Sequence, residues 1–541
     1  MPATRRSAFL ISIAALMLCC SAFPQSTDAG PDAAQEAERT RLDHEVDALF
    51  GEIVGDYLAP VLFYPVLEFD EMGLDGEPVL DEEGNPVQSG FPLIVAVLVA
   101  GGLFFTFRYG FVNIRLFAHA IRVVRGHYDD PNDAGEITHF KALTSALAAT
   151  VGLGNIGGVA VAITAGGPGA VFWMWVTAVF GMSMKFSSCT LAQLYRRFKE
   201  DGHVLGGPMV YLKDGIKDRA PWWISWIGYV FSPVFAVLTI MAAFGGGNMY
   251  QSNQTYEVMR QVFGFGDSEA IKIGVGLVLF MLVGVVIIGG IKRIGEVTSK
   301  IVPTMCVGYV LICLVIVLAN FHEVPAMLLA IPSQAFTLKA GIGGFLGIAV
   351  SGMKRAAFSN EAGLGSAAIA HAAARTDEPI REGLVAMLGP FIDTIIVCTM
   401  TALAILSTGI HTDIEGIGGA EITAQAFGTV HGMFPYFLAV AVFVFAYSTL
   451  ISWSYYGERA VEYLTGRYSP HAVGAYRIVY CFVAAAGPLL SLSNVIDFAD
   501  MMLLSMAFPN ILGMVLLSGK VRRLLIDYQE RLASGEMQPN R

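Results

Sequence analysis

From residue 91 to residue 518 the chain is a succession of apolar runs, with few polar interruptions between them. Many of these runs reach the ~20 residues that a helix needs to cross a hydrocarbon layer ~30 Å thick. They predict eleven spans, at about 92–110, 142–165, 169–194, 223–247, 269–290, 299–319, 342–372, 381–408, 434–461, 472–490 and 496–518. Lysine and arginine gather in every second connection. Arg115, Arg122 and Arg125 follow the first run, Arg196, Arg197 and Lys199 the third, Lys292 and Arg293 the fifth. Arg375 and Arg381 follow the seventh, Arg459 and Arg467 the ninth, and Lys520, Arg522 and Arg523 the last. Basic loops face the cytoplasm, so an odd span count predicts an extracytoplasmic N-terminus and a cytoplasmic C-terminus.

The first 90 residues follow another pattern. Arg5 and Arg6 precede the apolar stretch Ala8–Leu18, and small residues around Ser21 and Ala22 offer a cleavage site. Residues 1–26 therefore read as a secretory signal peptide, with an uncleaved anchor as the alternative. Residues 27–90 read as an acidic extracytoplasmic extension. Within it Leu42, Val46, Leu49, Phe50 and Ile53 have helical spacing, and GLDGEPVLDEEGNPVQSG is turn-rich, either a small hairpin or a loose loop. The predicted order is then an additional N-terminal span with its cytoplasmic linker over 91–141, a first core half over 142–320, a second over 321–520, and a cytoplasmic tail over 521–541.

Composition agrees with a membrane class. Hydrophobic residues make up 55%, charged residues 15%, and the mean hydropathy is +0.59, whereas soluble domains carry about 25% charged residues. The net charge of −11 owes much to the acidic stretch 28–83 and says little about partners. No basic patch interleaved with aromatics suggests nucleic-acid binding. The seven cysteines form no CxxC pair and read as small apolar packing residues. The histidines are scattered, so no transition-metal site is expected. His371, near the cytoplasmic end of its span, suits packing or gating.

Two glycine clusters stand apart from ordinary small-residue packing. The first is ALAATVGLGNIGGVAVAITAGGPG, with Gly152, Gly154, Gly157, Gly158 and Asn155 mid-span. The second is KRAAFSNEAGLGSAAIAHAAA, with Ser359, Asn360, Glu361, Gly363 and Gly365 mid-span. Irregular backbone at membrane depth is tolerated where it lines a cavity, and Asn and Glu at that depth mark function by default. With the 92–110 span set aside, the interrupted spans are the first and sixth of ten, opening two five-helix halves. Paired interruptions at matched positions point to the binding site of an inverted-repeat transporter. A broken helix offers free N–H groups to a carboxylate and free carbonyls to Na⁺ or an ammonium group; an amino acid zwitterion asks for both. Asp393, mid-span with Thr394 beside it, is a candidate cation ligand, the alternative being a salt bridge to Lys354 or Arg355.

On GNIGGVAVAITAGGPGAVFWMW, GGPMVYL, FGGGNMYQSN and above all FSNEAGLGSAAIAHAAA, the chain closely resembles the alanine/glycine:cation symporter family over residues 92–525. The resemblance implies an all-α, LeuT-like 5+5 inverted-repeat core with discontinuous first and sixth core helices, here with one extra N-terminal helix. It implies import of alanine or glycine with Na⁺, or sometimes H⁺, across a bacterial inner membrane. Thr150 to Asn155 match the unwound stretch of the first core helix. The carbonyls of Ala148 and Val151, with Thr150, would then serve a sodium site completed by the hydroxyls of Ser448 and Thr449. For substrate the resemblance points to Gly152, Gly154, Asn155, Asn248, Gln251, Phe358, Ser359, Asn360 and Glu361. A pocket walled by glycine backbone and closed by Phe358 would admit alanine or glycine and exclude large side chains on volume. One departure is Ser188, where such proteins usually carry Glu. That favours coupling to Na⁺ alone.

Against an enzyme, the chain carries no HExxH, GxSxG, CxxC or phosphate-loop motif, and no cofactor beyond co-transported Na⁺ is expected. Two rivals remain. One is a proton-coupled carrier of the same fold. The other is a channel, which is less compatible with ten core helices in one chain.

Overall fold

In the computed structural model the described residues are 59–70, 86–200, 202–219, 222–264, 268–337, 341–410, 419–466, 470–490 and 492–539. The signal peptide and the amphipathic helix expected around 42–53 lie outside them. So does most of the turn-rich stretch; its last residues lie in β2 (Gln88–Pro92), which pairs antiparallel with β1 (Pro65–Asp70) from ahead of that stretch, Phe69 opposite Ser89.

All the rest of consequence is helix. In chain order come α1 (Leu93–Arg108), α2 (His139–Thr150), α3 (Gly157–Gly166), α4 (Gly169–Leu194), α5 (Trp222–Phe244), α6 (Tyr250–Phe263), α7 (Glu269–Ile287) and α8 (Gly290–Ala319). Then follow α9 (Gly341–Asn360), α10 (Ala367–His371), α11 (Pro379–Ala386), α12 (Thr399–Thr408), α13 (Phe434–Leu464), α14 (Pro470–Ala486), α15 (Leu492–Ser505) and α16 (Ala507–Ala533). Eight of the described helical stretches are long and apolar enough to cross a membrane, and nine if the bent α2–α3 pair counts as one. The eleven expected spans are not all matched by that measure, because α1 has only 16 residues and the α9–α10 pair is interrupted. Two further helices, over Val324–Ala335 and Gly419–Val430, were not anticipated. Nor was the extension of the 223–247 run into α6, which makes one 40-residue helix over Ile224–Phe263.

Small residues decide how closely the helices approach. A Cβ on Gly352 of α9 would come within 2.2 Å of the Ala170 carbonyl oxygen on α4, and one on Gly181 of α4 within 2.6 Å of Ala362 Cβ. Only glycine permits that contact, so α4 passes directly behind the break that follows α9. Gly102 of α1 packs in the same manner on Phe180.

Both glycine clusters are breaks. α2 ends at Thr150, and α3 leaves at 63° to it. α9 ends at Asn360. Glu361, Gly363 and Gly365 then take positive φ of 53°, 90° and 89° before α10 begins. Glycine adopts this left-handed region freely, whereas Glu361 is strained there, on the order of 1–3 kcal/mol. Two other helices widen into π turns, over Gly245–Met249 between α5 and α6, and over Phe391–Cys398 between Pro390 and α12.

Candidate functional site

The first break follows from one side chain. In a continuous helix the Gly152 amide would donate to the Ala148 carbonyl. It donates instead to Oδ1 of Asn155 at 2.8 Å, and the Asn155 amide turns to the Gly152 carbonyl rather than to Val151. The carbonyls of Ala148 and Val151 thus lose their helical donors. Thr449 Oγ1 stands 3.1 Å from the Ala148 oxygen and Ser448 Oγ 3.4 Å from it. Both hydroxyls also reach the Phe445 carbonyl, Ser448 at 2.8 Å and Thr449 at 3.1 Å. The Ala148 carbonyl oxygen and two hydroxyls therefore meet, oxygens of the kind hard cations prefer; no hydrogen bond among the described residues brings the Val151 carbonyl to them. The Thr150 hydroxyl bonds back to Ala146 and Leu147 of its own helix.

A second polar cluster gathers on the π turn. Asp393, fully buried, accepts from Asn155 Nδ2 at 2.7 Å, from Ser359 Oγ at 2.8 Å and from Thr394 Oγ1 at 2.8 Å. Asn360 Nδ2 donates to Thr394 Oγ1 at 3.1 Å, and its Oδ1 takes the Ala362 amide at 2.9 Å. Asp393 is thus tied to both breaks at once. The alternative salt bridge does not form: Lys354 and Arg355 face Asp500 instead, at 3.5 and 4.0 Å.

Between the breaks lies a small cavity, and its lining includes Gly152, Gly154, Gln251, Phe358, Glu361 and Trp453. Of its glycines, Gly152 is tight and Gly154 is not. A Cβ on Gly152 would lie 2.9 Å from Thr449 Oγ1, and one on Gly154 3.4 Å from both Phe358 and the Ser359 backbone. Glu361 is held by Trp453 Nε1, which donates to Oε1 at 3.2 Å, and by the Ser366 hydroxyl. Gln251 donates to the Gly246 carbonyl at 3.0 Å, and its Oε1 has no hydrogen-bond partner among the described residues. That buried acceptor on the cavity wall suits an ammonium donor.

Of the expected substrate residues, Gly152, Gly154, Gln251, Phe358 and Glu361 therefore line the cavity, as do Thr150 and Thr449 from the expected cation set. Asn155, Ser359 and Asn360 do not, because their amides and hydroxyl are committed to the Asp393–Thr394 pair. Asn248 does not either; it donates away from the cavity to the Tyr480 carbonyl on α14. Trp453 was missed. It follows Thr449 by one helical turn on α13, and the bare backbone of Gly247 admits its ring, but neither signal is readable without knowing which helices adjoin. Leu503, also on the wall, gave no signal at all.

Each end of the molecule is closed by its own contacts. Near the start of α2, Ile137 and Ala374 form a parallel bridge, and Arg196 donates to the carbonyls of Ala134, Ala372, Ala374 and Thr376. Glu382 of α11 joins His139 of α2 to His371 of α10 through both carboxylate oxygens. On the other side of the second break, Lys354 and Arg355 in the last two turns of α9 face Asp500 of α15.

A family profile described as the sodium:alanine symporter family matches residues 78–541. The chain belongs to that family. It is 42% identical to the sodium/alanine symporter AgcS of Methanococcus maripaludis over 80% of this chain and 92% of that one. It is 36% identical to the amino-acid carrier protein AlsT of Bacillus subtilis over 81% and 90%. It is 34% identical to the putative sodium/proton-dependent alanine carrier protein YrbD of the same organism over 82% and 90%. Among solved structures it aligns with MhsT in complex with L-phenylalanine at a TM-score of 0.49 and 10% identity, over 71% of this chain and 98% of that one. Membership in the sodium:alanine symporter family makes the chain a multi-pass membrane transporter of the cation-coupled amino acid class, not an enzyme. Within that family's scaffold, Ser188 bonds the Tyr211 hydroxyl at 3.0 Å. Tyr211 reaches Asn510, whose Nδ2 donates to the Gly363 carbonyl in the second break.

Proposed function

We propose that this protein imports a small neutral amino acid, alanine or glycine, together with Na⁺, by alternating access across a bacterial inner membrane. The observation that carries the reading is the diverted Gly152 amide, which hands the Ala148 carbonyl to Ser448 and Thr449 on the wall of the cavity. Na⁺ at that oxygen set would bind α2 to α13. Asp393, with Asn155, Ser359 and Thr394, would form a second polar centre joining both breaks, able to accept a cation or the substrate ammonium.

The amino acid would lie between Gly152 and Glu361, its carboxylate toward the peptide dipoles of the unwound backbone and its ammonium toward Gln251 Oε1. With Phe358 on the wall and a Cβ at Gly152 already meeting Thr449, little volume is left for a side chain. The names of AgcS, a sodium/alanine symporter, and YrbD, a sodium/proton-dependent alanine carrier, favour the same cargo. On the basic-loop orientation, the His139–Glu382–His371 end faces the cytoplasm and the Lys354–Asp500 end faces outward. Transport would open one and then the other.

The test is uptake of labelled alanine into proteoliposomes with and without an inward Na⁺ gradient. Uphill accumulation that requires sodium supports the reading. Accumulation driven by a proton gradient and indifferent to sodium would replace the cation, and downhill equilibration alone would make the protein a channel.

A further inference from the structure

Residues 59–70 precede residue 78, where the family match begins, and the transport reading gives them no part. They are nevertheless built into the transporter. The single helical turn Ala59–Leu62 packs on α1 and α15, and the strands β1 and β2 pack on α1 and α9. Leu62 is 2% exposed. The Tyr64 carbonyl accepts the Leu93 amide at 2.9 Å, a first-turn N–H of α1 that has no partner within its own helix. The segment thus hangs from α1, which Gly102 seats on Phe180 of α4, and leans across α9 and α15.

Phe63 makes the contact that matters. The Lys354 ammonium of α9 lies 4.9 Å from the centre of the Phe63 ring and 3.5 Å from Oδ2 of Asp500 on α15. One cation is therefore shared between an aromatic face and a carboxylate. The Lys354 side chain is 30% exposed, and an ion pair so open to water is worth little alone. A ring over the ammonium takes water from it and adds its own attraction. Position gives the contact a use. Lys354 comes one turn before Phe358 on α9, and Asp500 nearly one turn before Leu503 on α15. Phe358 and Leu503 both line the cavity, so ring, ammonium and carboxylate form the next layer beyond its wall. Separation of α9 from α15 breaks that layer.

We propose that Phe63 is an outer latch: its ring holds Lys354 on Asp500, keeps α9 against α15, and restrains the opening of the cavity to the extracytoplasmic side. Phe63 is then a positioning residue that touches neither the amino acid nor the ion. The proposal rests on the orientation and the transport reading given above.

The experiment measures the apparent KM for external alanine and the maximal rate of sodium-driven uptake in right-side-out vesicles. Phe63→Leu keeps the apolar bulk and loses the aromatic face. A weaker closed end leaves more carrier open to the outside, so the apparent KM should fall about two- to fivefold. The maximal rate should fall as well, because the loaded carrier closes less readily. Phe63→Tyr should keep the wild-type values. In a Lys354→Met background Phe63→Leu should change nothing further.

A second readout does not depend on cargo and serves any variant that has lost uptake. With a cysteine in place of Leu503, a membrane-impermeant thiol reagent applied from outside, without alanine, should react about two- to fivefold faster once Phe63→Leu is added. An unchanged or raised KM together with unchanged labelling in Phe63→Leu overturns the latch. So does an equal effect of Phe63→Leu when Lys354→Met is present. Faster labelling in a protein without sodium-driven alanine uptake would end the transport reading and keep the latch. Glu68→Cys, on the exposed part of β1, should react with the same reagent in right-side-out vesicles; reaction only in inside-out vesicles would overturn the orientation and the latch with it.

Discussion

The Gly152 amide and the Asn155 side-chain carbonyl, 2.8 Å apart, are the pair on which the first break turns. By taking this N–H, Asn155 opens the helix at Ala148. With its Nδ2 it also reaches Asp393 at 2.7 Å, so the same side chain that unwinds α2 ties it to the π turn. The unwound segment is not slack. It is buried throughout, and its conformation is set by one amide group acting in two directions.

Asn155→Ala should therefore remove more than one hydrogen bond. It would free the Gly152 amide to close onto Ala148 and leave Asp393 one donor short. Truncating one side of a buried, charge-assisted bond costs about 1.5–3 kcal/mol. The expected outcome is alanine uptake reduced at least about tenfold and a thermal unfolding midpoint lowered by several degrees. Near wild-type uptake in the purified variant would show that the break does not depend on Asn155.

At Gly152 the expectation is steric. The added Cβ would stand 2.9 Å from Thr449 Oγ1 and 3.5 Å from Gln251 Oε1, a contact that forces one of them to move. Gly152→Val should abolish alanine uptake, and alanine should no longer raise the melting temperature of the purified protein. Gly264→Ala, at a position with φ +68° and nothing within 4 Å of the added carbon, is the control. It tests backbone strain alone and should lower stability by about 1 kcal/mol while leaving uptake intact. If Gly152→Val still binds alanine, the substrate lies elsewhere.

The pattern along the chain carried more of the fold than of the site, for a physical reason. A run of apolar residues long enough to cross a bilayer is a local property, so α4 appears over residues 169–194 as the hydropathy predicts. Glycine clustered with Asn or Glu is local too, and both breaks fall where those residues sit. Which polar side chain faces the cavity and which faces a neighbouring helix is decided by helix rotation and by partners hundreds of residues away. Asn155 and Ser359 look like substrate ligands until Asp393, more than thirty residues beyond Ser359, is brought against them. Asn248 shares its segment with Gln251, but the π turn at Gly245–Met249 shifts the register of that stretch, and Asn248 points to Tyr480.

A pH dependence follows from His119. It lies outside the spans, and its Nε2 is 2.8 Å from the Tyr528 hydroxyl of α16. Burial first, and then the positive charges of Arg122 and Arg381, push its pKa down from 6.5 to about 4. The folded protein thus holds His119 neutral where the unfolded chain would protonate it. Below pH 6.5 the unfolded state binds the extra proton, so stability should fall as pH drops from about 6.5 towards 4 and be fully present above that window. His119→Gln, which retains a polar partner for Tyr528, should flatten this part of the profile. Thermal unfolding in detergent between pH 4 and 8 measures it, and identical slopes for the two proteins would exclude His119 as the source.

The last expectation concerns the closed end. Glu382 binds His139 through one carboxylate oxygen and His371 through the other, so a single side chain fastens the start of α2 to α10, beyond the second break. Glutamine keeps one acceptor oxygen and carries no charge, so it cannot accept from both imidazoles as the carboxylate does. Breaking a buried pair by removing one partner costs about 3–5 kcal/mol, and a few kcal/mol is enough to move a minor open state into the majority. Glu382→Gln should therefore loosen the contact between the strand-like segments at 134–137 and 373–376. Spin labels at the exposed positions Asn132 and Asp377, read by double electron–electron resonance, should show one short distance in the otherwise wild-type protein and a second, longer one in the variant. Sodium-driven uptake should fall in parallel, because a carrier that cannot close this end leaks its gradient or stalls. An unaltered distance distribution would mean that the Arg196 contacts to four backbone carbonyls hold the end shut without help from Glu382.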